Sequence, residues 1–407
     1  MYLKLAWRNI WRNKRRSLIT IGSITFAVLL ACSMRSMQLG SYDRMIETAV
    51  RFYTGYIQIH QNGYWEDQTI DNSFSYDQSL LNQVADVAGV KRVVPRVESF
   101  ALASFGQKTK GGLVVGIDPE LEDSLTRYKE KIIQGSSIEA NDDGALISEG
   151  LAKYLKVAVG DSLVLISQGY HGANAAGIFP IKGIMKFPSP AQNEGTIFIS
   201  LDKAQWFYAL GNQLTSLALV IDEAKHTDRI VAEISNVVDT SRLEVMGWRD
   251  LMPDLVQSIE IDSISGRIMI WILYAVIGFG MFGTFLMMTA ERMYEFGVMM
   301  SIGMKRMIMQ LTVFLEMLIM SSLGVLAGIG ISLPFIIYWY YHPIYFTGES
   351  AAAIESFGVE PAYFFSLDPA LFYNQAWVIF IMALILGFYP LYVIRTLKPV
   401  RAMREAI

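Results

Sequence analysis

The sequence predicts a membrane protein with four transmembrane α-helices and a large mixed α/β extracytoplasmic domain of two lobes, inserted between helices 1 and 2. Three observations predict it. Long apolar runs occur at 17–38, 267–290, 311–341 and 376–394, and basic residues gather on only one side of each. The interval 39–266 switches to short alternating runs broken by glycine and proline. Each long run is close to the roughly 20 apolar residues that a helix needs to cross a hydrocarbon core.

The flanks give the orientation. Lys4, Arg8, Arg12, Lys14, Arg15 and Arg16 precede the first span with no acidic residue among them, and the tail 395–407 carries Arg395, Lys398, Arg401 and Arg404 against Glu405. Lys and Arg stay on the cytoplasmic side of short loops, so both ends are expected inside. The loop 342–375 holds Glu349, Glu355, Glu360 and Asp368 and no Lys or Arg, as an outer loop should.

Within residues 1–16, Trp7-Arg8-Asn9 repeats as Trp11-Arg12-Asn13, four residues on. That spacing stacks like on like along a helix, with Leu3, Trp7, Ile10 and Trp11 on one face and Lys4, Arg8 and Arg12 on another. An amphipathic interfacial helix, Trp at headgroup level and cations toward lipid phosphate, explains the pattern; so does a basic segment that only sets orientation.

Cys32 is the only cysteine, so the outer domain is expected to fold without disulfides. Leu29-Leu30-Ala31-Cys32 has the look of a lipoprotein processing site, but sixteen residues with two Trp precede the span, and a small thiol packed in a membrane helix is the preferred reading.

In the outer interval, Tyr56 to His60 alternates as a half-buried strand does, and Leu80 to Val87 reads as a helix. Val93-Val94 reads as a strand stopped by Pro95, and Gly112 to Ile117 as an apolar run ending in an Asp118-Pro119 turn. Ser148-Glu149 opens a capped helix, closed by Gly160-Asp161 before a strand Ser162 to Ile166. Further strands are expected at Ile178 to Met185, Thr196 to Ile199 and Leu217 to Ile221, and a helix at Thr227 to Val238. A core lobe at 39–112 and 215–266 and an upper lobe at 113–214 follow from these elements.

A net charge of −4 gives no reason to expect nucleic acid. No phosphate loop occurs, and His60, His171, His226 and His342 lack metal-ligand spacing. No catalytic constellation and no metal site are expected.

The segment 291–310, from Glu291-Arg292-Met293-Tyr294-Glu295-Phe296-Gly297 to Ile302-Gly303-Met304-Lys305-Arg306, resembles the cytoplasmic coupling segment of ABC permeases of the FtsX, MacB and lipoprotein-releasing type. Val93 to Val97, Gly116-Ile117-Asp118-Pro119 and Leu151-Ala152 with Val159-Gly160-Asp161 are similar to the periplasmic core of that superfamily. Leu5 to Arg16 and Tyr53 to His60 resemble the lipoprotein-releasing branch most.

The resemblance implies a multi-pass subunit of a bacterial inner membrane that works by mechanotransmission. A separate ABC ATPase dimer would hold ATP and Mg, with no cofactor in this chain, beside a second permease copy or paralogue. Lipoprotein cargo, a periplasmic chaperone and membrane lipid complete the expected partners.

It also assigns Glu291, Arg292, Glu295, Phe296, Gly297, Gly303, Lys305 and Arg306 to contact with the ATPase, the charges gripping it and the two glycines turning the chain at either end. Glu316, inside the third span near its cytoplasmic end, is expected to reach the interface or to pair with a cation of the coupling segment such as Lys305 or Arg306. Met34, Met37, Ile264, Ile268 and Trp271 are candidates for acyl-chain contact, and the same residues would suit lipid contact or helix packing. Gly324 with Gly328, and Gly278, Gly280 and Gly283, would let spans approach closely.

In that branch one subunit carries a proline-containing hook. The matching stretch here, Ser167 to Ala176, has no Pro, although Tyr170 and His171 could make an exposed contact; Pro188 and Pro190 mark an alternative contact loop, or a rigid turn. Three rivals stay open: a MacB-like efflux permease, an FtsX-like regulator of a wall hydrolase, and a membrane sensor.

Overall fold

The computed structural model describes residues 2–12, 14–50, 54–187, 189–348, 351 and 360–398, with only the backbone of Tyr2 and Arg16. Contacts divide the chain into two units. A helical unit takes the residues up to Asp43, Ile259–Tyr345 and those from Ala362 on; a sheet unit takes Arg44–Ser258 and Phe346–Pro361.

Six helices carry the helical unit: α1 Tyr2–Arg12, α2 Lys14–Ala49, α3 Pro253–Glu291, α4 Met293–Ser301, α5 Arg306–Tyr341 and α6 Pro369–Thr396. The four long ones are long and apolar enough to cross a membrane, and each contains one of the expected spans. They outrun it, too. At the helical rise, α3 reaches roughly 58 Å, nearly twice a bilayer core.

The small-residue pattern of α5 is used for close packing. A Cβ on Gly324 would stand 2.7 Å from the Ile24 side chain, and one on Gly328 2.5 Å from Val28, while Thr25 Oγ1 donates to the Gly324 carbonyl at 3.2 Å. The glycines of α3 differ. Of Gly278, Gly280 and Gly283, Gly278 alone faces a neighbour, Met382, and a Cβ at Gly280 or Gly283 would meet nothing within 4 Å. At about 100° per residue, positions two and five further along point elsewhere. Gly328→Val should therefore destabilise the α2–α5 contact by about 1–3 kcal/mol and lower the melting temperature of the detergent-solubilised chain, whereas Gly280→Ala should leave it unchanged. Cys32 lies fully buried in this core.

Ten strands form one sheet in the second unit: β1 Ile57–Gln61, β2 Val90–Phe105, β3 Lys108–Ile117, β4 Ile132–Gly135, β5 Ala145–Ser148, β6 Ser162–Gln168, β7 Asn174–Met185, β8 Thr196–Ser200, β9 Ser216–Ile221 and β10 Leu243–Gly247. The order is β10-β1-β9-β2-β3-β8-β5-β7-β4, and β6 pairs with both β2 and β7. Strands β2, β3, β8, β5, β7 and β6 thus close into a ring. Its interior is filled by Ala103, Val114, Ile147, Leu165, Phe179 and Ile197, as expected of so small a barrel.

Strand β2 belongs to both parts. Val90 to Arg96 pairs with β9 in the open sheet, and Arg96 to Phe105 pairs with β3 in the ring. Two lobes were expected; strand β2 and the main core cluster run through both parts of a single compact unit, beside smaller clusters around Tyr128 and Leu125. An upper lobe starting at 113 would also cut the β2–β3 hairpin in half.

Pro95 does not end this strand. It lies opposite Leu217, and the ladder on the other side begins only at Arg96, so its missing N–H interrupts nothing there. Asp118-Pro119 is not a turn but a helix start: the Asp118 carboxylate accepts from the N–H groups of Glu120 and Leu121 at 3.0 Å, with Pro119 as the first residue of the helix Pro119–Thr126. Ser148 precedes the helix Glu149–Leu155 without capping it, because its hydroxyl accepts from Thr196 N of β8 at 3.2 Å.

Strand β1 is buried on both faces rather than one, since β9 and β10 flank it and helices cover the sheet. His60 is consequently enclosed, its Nε2 2.7 Å from Gln58 Oε1 and its ring stacked on Trp65. Burial pushes its pKa down to about 4. An unfolded His near 6.5 binds more protons across that window, so stability present above pH 6.5 is lost as pH falls toward 4, by up to about 3 kcal/mol. Thermal unfolding of His60→Gln should lose less between pH 6.5 and 4.5 than the parent chain does; equal losses would exclude this source.

Arg96 is the largest fully buried side chain in the unit. Its Nε and Nη2 donate to the two oxygens of Glu122 at 2.8 and 2.7 Å, and its Nη1 to Glu98 at 3.2 Å.

Candidate coupling site

Helix α4 occupies the turn between α3 and α5. Arg292 leaves helical geometry with φ −96° and ψ 6°, which separates α4 from α3. At the other end Gly303 N–H donates to Met300 O and Met304 N–H to Met299 O, both at 3.0 Å, with Gly303 at φ +98°. This paired closure needs a left-handed residue, and glycine takes that conformation without steric cost. Gly297 makes no turn. It lies buried in mid-helix.

A polar chain braces this helix. Asn9 Nδ2 of α1 donates to Glu316 Oε1 of α5 at 2.7 Å, and Arg292 Nη1 donates to Glu316 Oε2. Arg292 Nε reaches Glu295 Oε2 at 3.4 Å, and Arg12 Nη2 of α1 holds both Glu295 oxygens at 2.8 and 2.7 Å. Glu316 is 1% exposed and Arg292 8%, so each would be costly to bury alone. Burial would raise the Glu295 pKa, but Arg12 and Arg292 outweigh it and hold the carboxyl below its usual range.

The cation of the coupling segment that Glu316 meets is Arg292, not the two named as examples, Lys305 and Arg306. Both lie ten or more residues earlier on the same chain path, about 15 Å along a helix axis, out of reach. The actual partners come from α1 and the α3–α4 junction. Nothing in the linear pattern marked Asn9 and Arg12 as members of this site.

The sequence-predicted residues therefore fall into two groups. Arg292, Glu295, Phe296 and Gly297 serve the bundle, Phe296 being 1% exposed with the Arg292 guanidinium 5.3 Å from its ring. Glu291, Lys305 and Arg306 are exposed, although Arg306 Nη1 also donates to the Arg395 carbonyl of α6. Between them stand four apolar residues that charge counting missed, Tyr294, Ile302, Met304 and Met307, with Ile302 82% and Met307 79% exposed. Their signal was present in the run Ile302-Gly303-Met304, apolar residues beside a helix-ending glycine.

The other candidates are dispersed. Met34 and Met37 pack against the bundle core, while Ile264, Ile268 and Trp271 stand exposed on α3. The two helices meet nearby through Tyr42 Oη and Gln38 Nε2, which donate to Asp262. Tyr170 and His171 form the tight turn of the β6–β7 hairpin, where His171 N–H donates to Asp71 at 2.7 Å. Beside it, the outer surface of the ring exposes Phe100, Leu102, Ile166 and Ile178. Pro190 begins the short helix Pro190–Gly195; Pro188 lies outside the described residues, as do 399–407 of the tail. Among the described residues no group of His, Cys, Asp and Glu could hold a metal ion.

Long apolar helices, a mixed-sheet extracytoplasmic domain and a braced helix between two spans define a membrane permease of the ABC type. Residues 17–237 match the MacB-like periplasmic core domain and residues 267–399 the FtsX-like permease C-terminal region, and the chain belongs to this family. It is LolC-like within it: the lipoprotein-releasing system transmembrane protein LolC of Xylella fastidiosa is 21% identical over 330 residues, covering 77% of this chain and 78% of that protein. Among solved structures, the extracellular domain of the ABC-type transporter YknZ from Gram-positive bacteria is 13% identical with a TM-score of 0.35, covering 48% of this chain and all of that one. The periplasmic region of MacB from Actinobacillus actinomycetemcomitans is 12% identical with a TM-score of 0.36, covering 52% of this chain and 94% of that one. Members of the family work with ABC ATPases.

Proposed function

We propose that the chain is the permease subunit of an ABC complex that releases lipoproteins from the outer leaflet of a bacterial inner membrane by mechanotransmission. ATP and Mg sit on a partner ATPase dimer, a second permease copy or paralogue completes the membrane part, and both termini are cytoplasmic. The observation that supports it is the construction of the turn around α4: Tyr294 of α4, Ile302 just after it and Met307 at the start of α5 are exposed, with Glu291, Lys305 and Arg306 exposed beside them in the chain, and α4 itself is locked to α1 and α5. Apolar residues exposed like this in water need a partner to cover them. Force applied there passes into two other helices through charge-assisted hydrogen bonds rather than into a loop. On the periplasmic side, the apolar surface beside Tyr170 and His171 offers a contact for a chaperone.

Mass spectrometry of whatever co-purifies with the chain in mild detergent tests the proposal. An ABC ATPase together with acylated lipoproteins is expected. An ATPase with an outer-membrane channel, an adaptor or a wall hydrolase instead would move the chain to another branch, and absence of any ATPase would remove the transport reading.

A further inference from the structure

The three cations of α1 have different fates. Arg12 is taken by Glu295, whereas neither Lys4 nor Arg8 has an ion-pair partner among the described residues. The helix itself is fixed, because Ala6 and Ile10 are buried in the bundle core and Asn9 is tied to Glu316. Lys4 and Arg8 are thereby held on the wall of an open cleft of about 720 Å³, completed by Leu3, Trp7, Trp11 and Ile319 of α5. Trp7 and Trp11 meet edge to face at 5.9 Å and remain 46% and 44% exposed.

We infer that this cleft binds one anionic phospholipid of the leaflet adjoining the chain's N-terminus. The charge side of the argument is that two cations one helical turn apart, without an ion-pair partner among the described residues, suit a phosphate carrying net negative charge, and the lining of the cleft holds no Asp or Glu. The apolar side is that Leu3, the two indoles and Ile319, a residue of a membrane span, would cover the first methylenes of an acyl chain. Free phosphate could satisfy the cations but not that wall. Indole rings belong at the depth where headgroup and chain meet. The lipid would then sit one residue from Asn9 and four from Arg12, bearing on the helix that braces α4. The inference stands on α1 and α5 alone and does not depend on what the permease moves.

The test is native mass spectrometry of the full-length chain, delipidated in detergent and titrated with phosphatidylglycerol or phosphatidylcholine of the same chain length. The wild type should bind the first phosphatidylglycerol roughly tenfold more tightly than the first phosphatidylcholine. Lys4→Gln with Arg8→Gln should erase that preference, and Lys4→Arg with Arg8→Lys should keep it, which separates charge from folding. Trp7→Ala with Trp11→Ala should weaken both lipids. Glycerol phosphate, the headgroup without chains, should not displace the bound lipid. Equal affinity of the wild type for the two lipids, an undiminished preference in the Gln variant, or displacement by glycerol phosphate would each overturn the assignment.

Discussion

Glu295→Lys combined with Gly297→Pro is expected to abolish ATP-driven function while the chain still inserts in the membrane. Glu295 accepts from both Arg12 and Arg292, at 2.7 and 3.4 Å, so a lysine would strip Arg12 of this carboxylate and place a further cation beside Arg292, whose bond to Glu316 would remain. Proline at 297 removes a backbone donor in the middle of a nine-residue helix and clashes with the carbonyl one turn back, a cost of about 3 kcal/mol. Neither change touches a membrane span. Basal ATP hydrolysis by the partner should persist, and its coupling to cargo release should fall at least tenfold. Glu316→Gln is a milder probe of the same brace, because it keeps an acceptor for Asn9 and Arg292 but loses the charge. Normal coupling in the double variant would remove α4 from the mechanism.

The second large effect lies in the sheet unit. Arg96→Met strands Glu122, fully buried, and Glu98, 6% exposed, without the guanidinium between them, and removing one partner of such a pair costs about 3–5 kcal/mol. The position makes the loss felt widely, since Arg96 is the residue where β2 passes from the open sheet into the ring. Limited proteolysis of the full-length chain should cut the sheet unit at a lower temperature while the helical unit stays resistant. Arg96→Met with Glu122→Leu should recover part of the stability, because no unpaired charge at Glu122 remains. If the double variant were no better than the single one, packing rather than charge would be the larger contribution.

What could be read in advance follows the range of the interactions. The spans were legible because a run of twenty apolar residues needs no partner to be recognised, and β8, β9 and β6 were legible as short apolar runs. Strand β2 was not, because different partners hold its two halves: β9, more than a hundred residues later, up to Arg96, and β3 and β6 beyond it. Ring closure depends on Leu102 meeting Ile166, which no local pattern announces. The segment 291–310 stood out, yet its charges were counted along the chain, whereas their hydrogen bonds sort them by partner: Arg292 and Glu295 bond to α5 and α1, Arg306 bonds to the Arg395 carbonyl of α6, and Lys305 is exposed.

The sheet unit is not continuous in sequence, and this bears on how the protein is made. Arg44 Nε donates to Glu360 Oε2 at 2.8 Å across 316 positions, and Phe346 N–H donates to the Pro361 carbonyl at 2.8 Å in the same returning segment. During synthesis the ring can close once β8 has emerged, but Glu360 follows Ser258 by roughly a hundred residues, on the order of 5–20 s of translation. In that interval α3 and α5 must enter the membrane. The last contacts of the sheet unit thus wait for insertion to finish, so a chain with a misplaced third span would reach quality control with its exported domain unsealed.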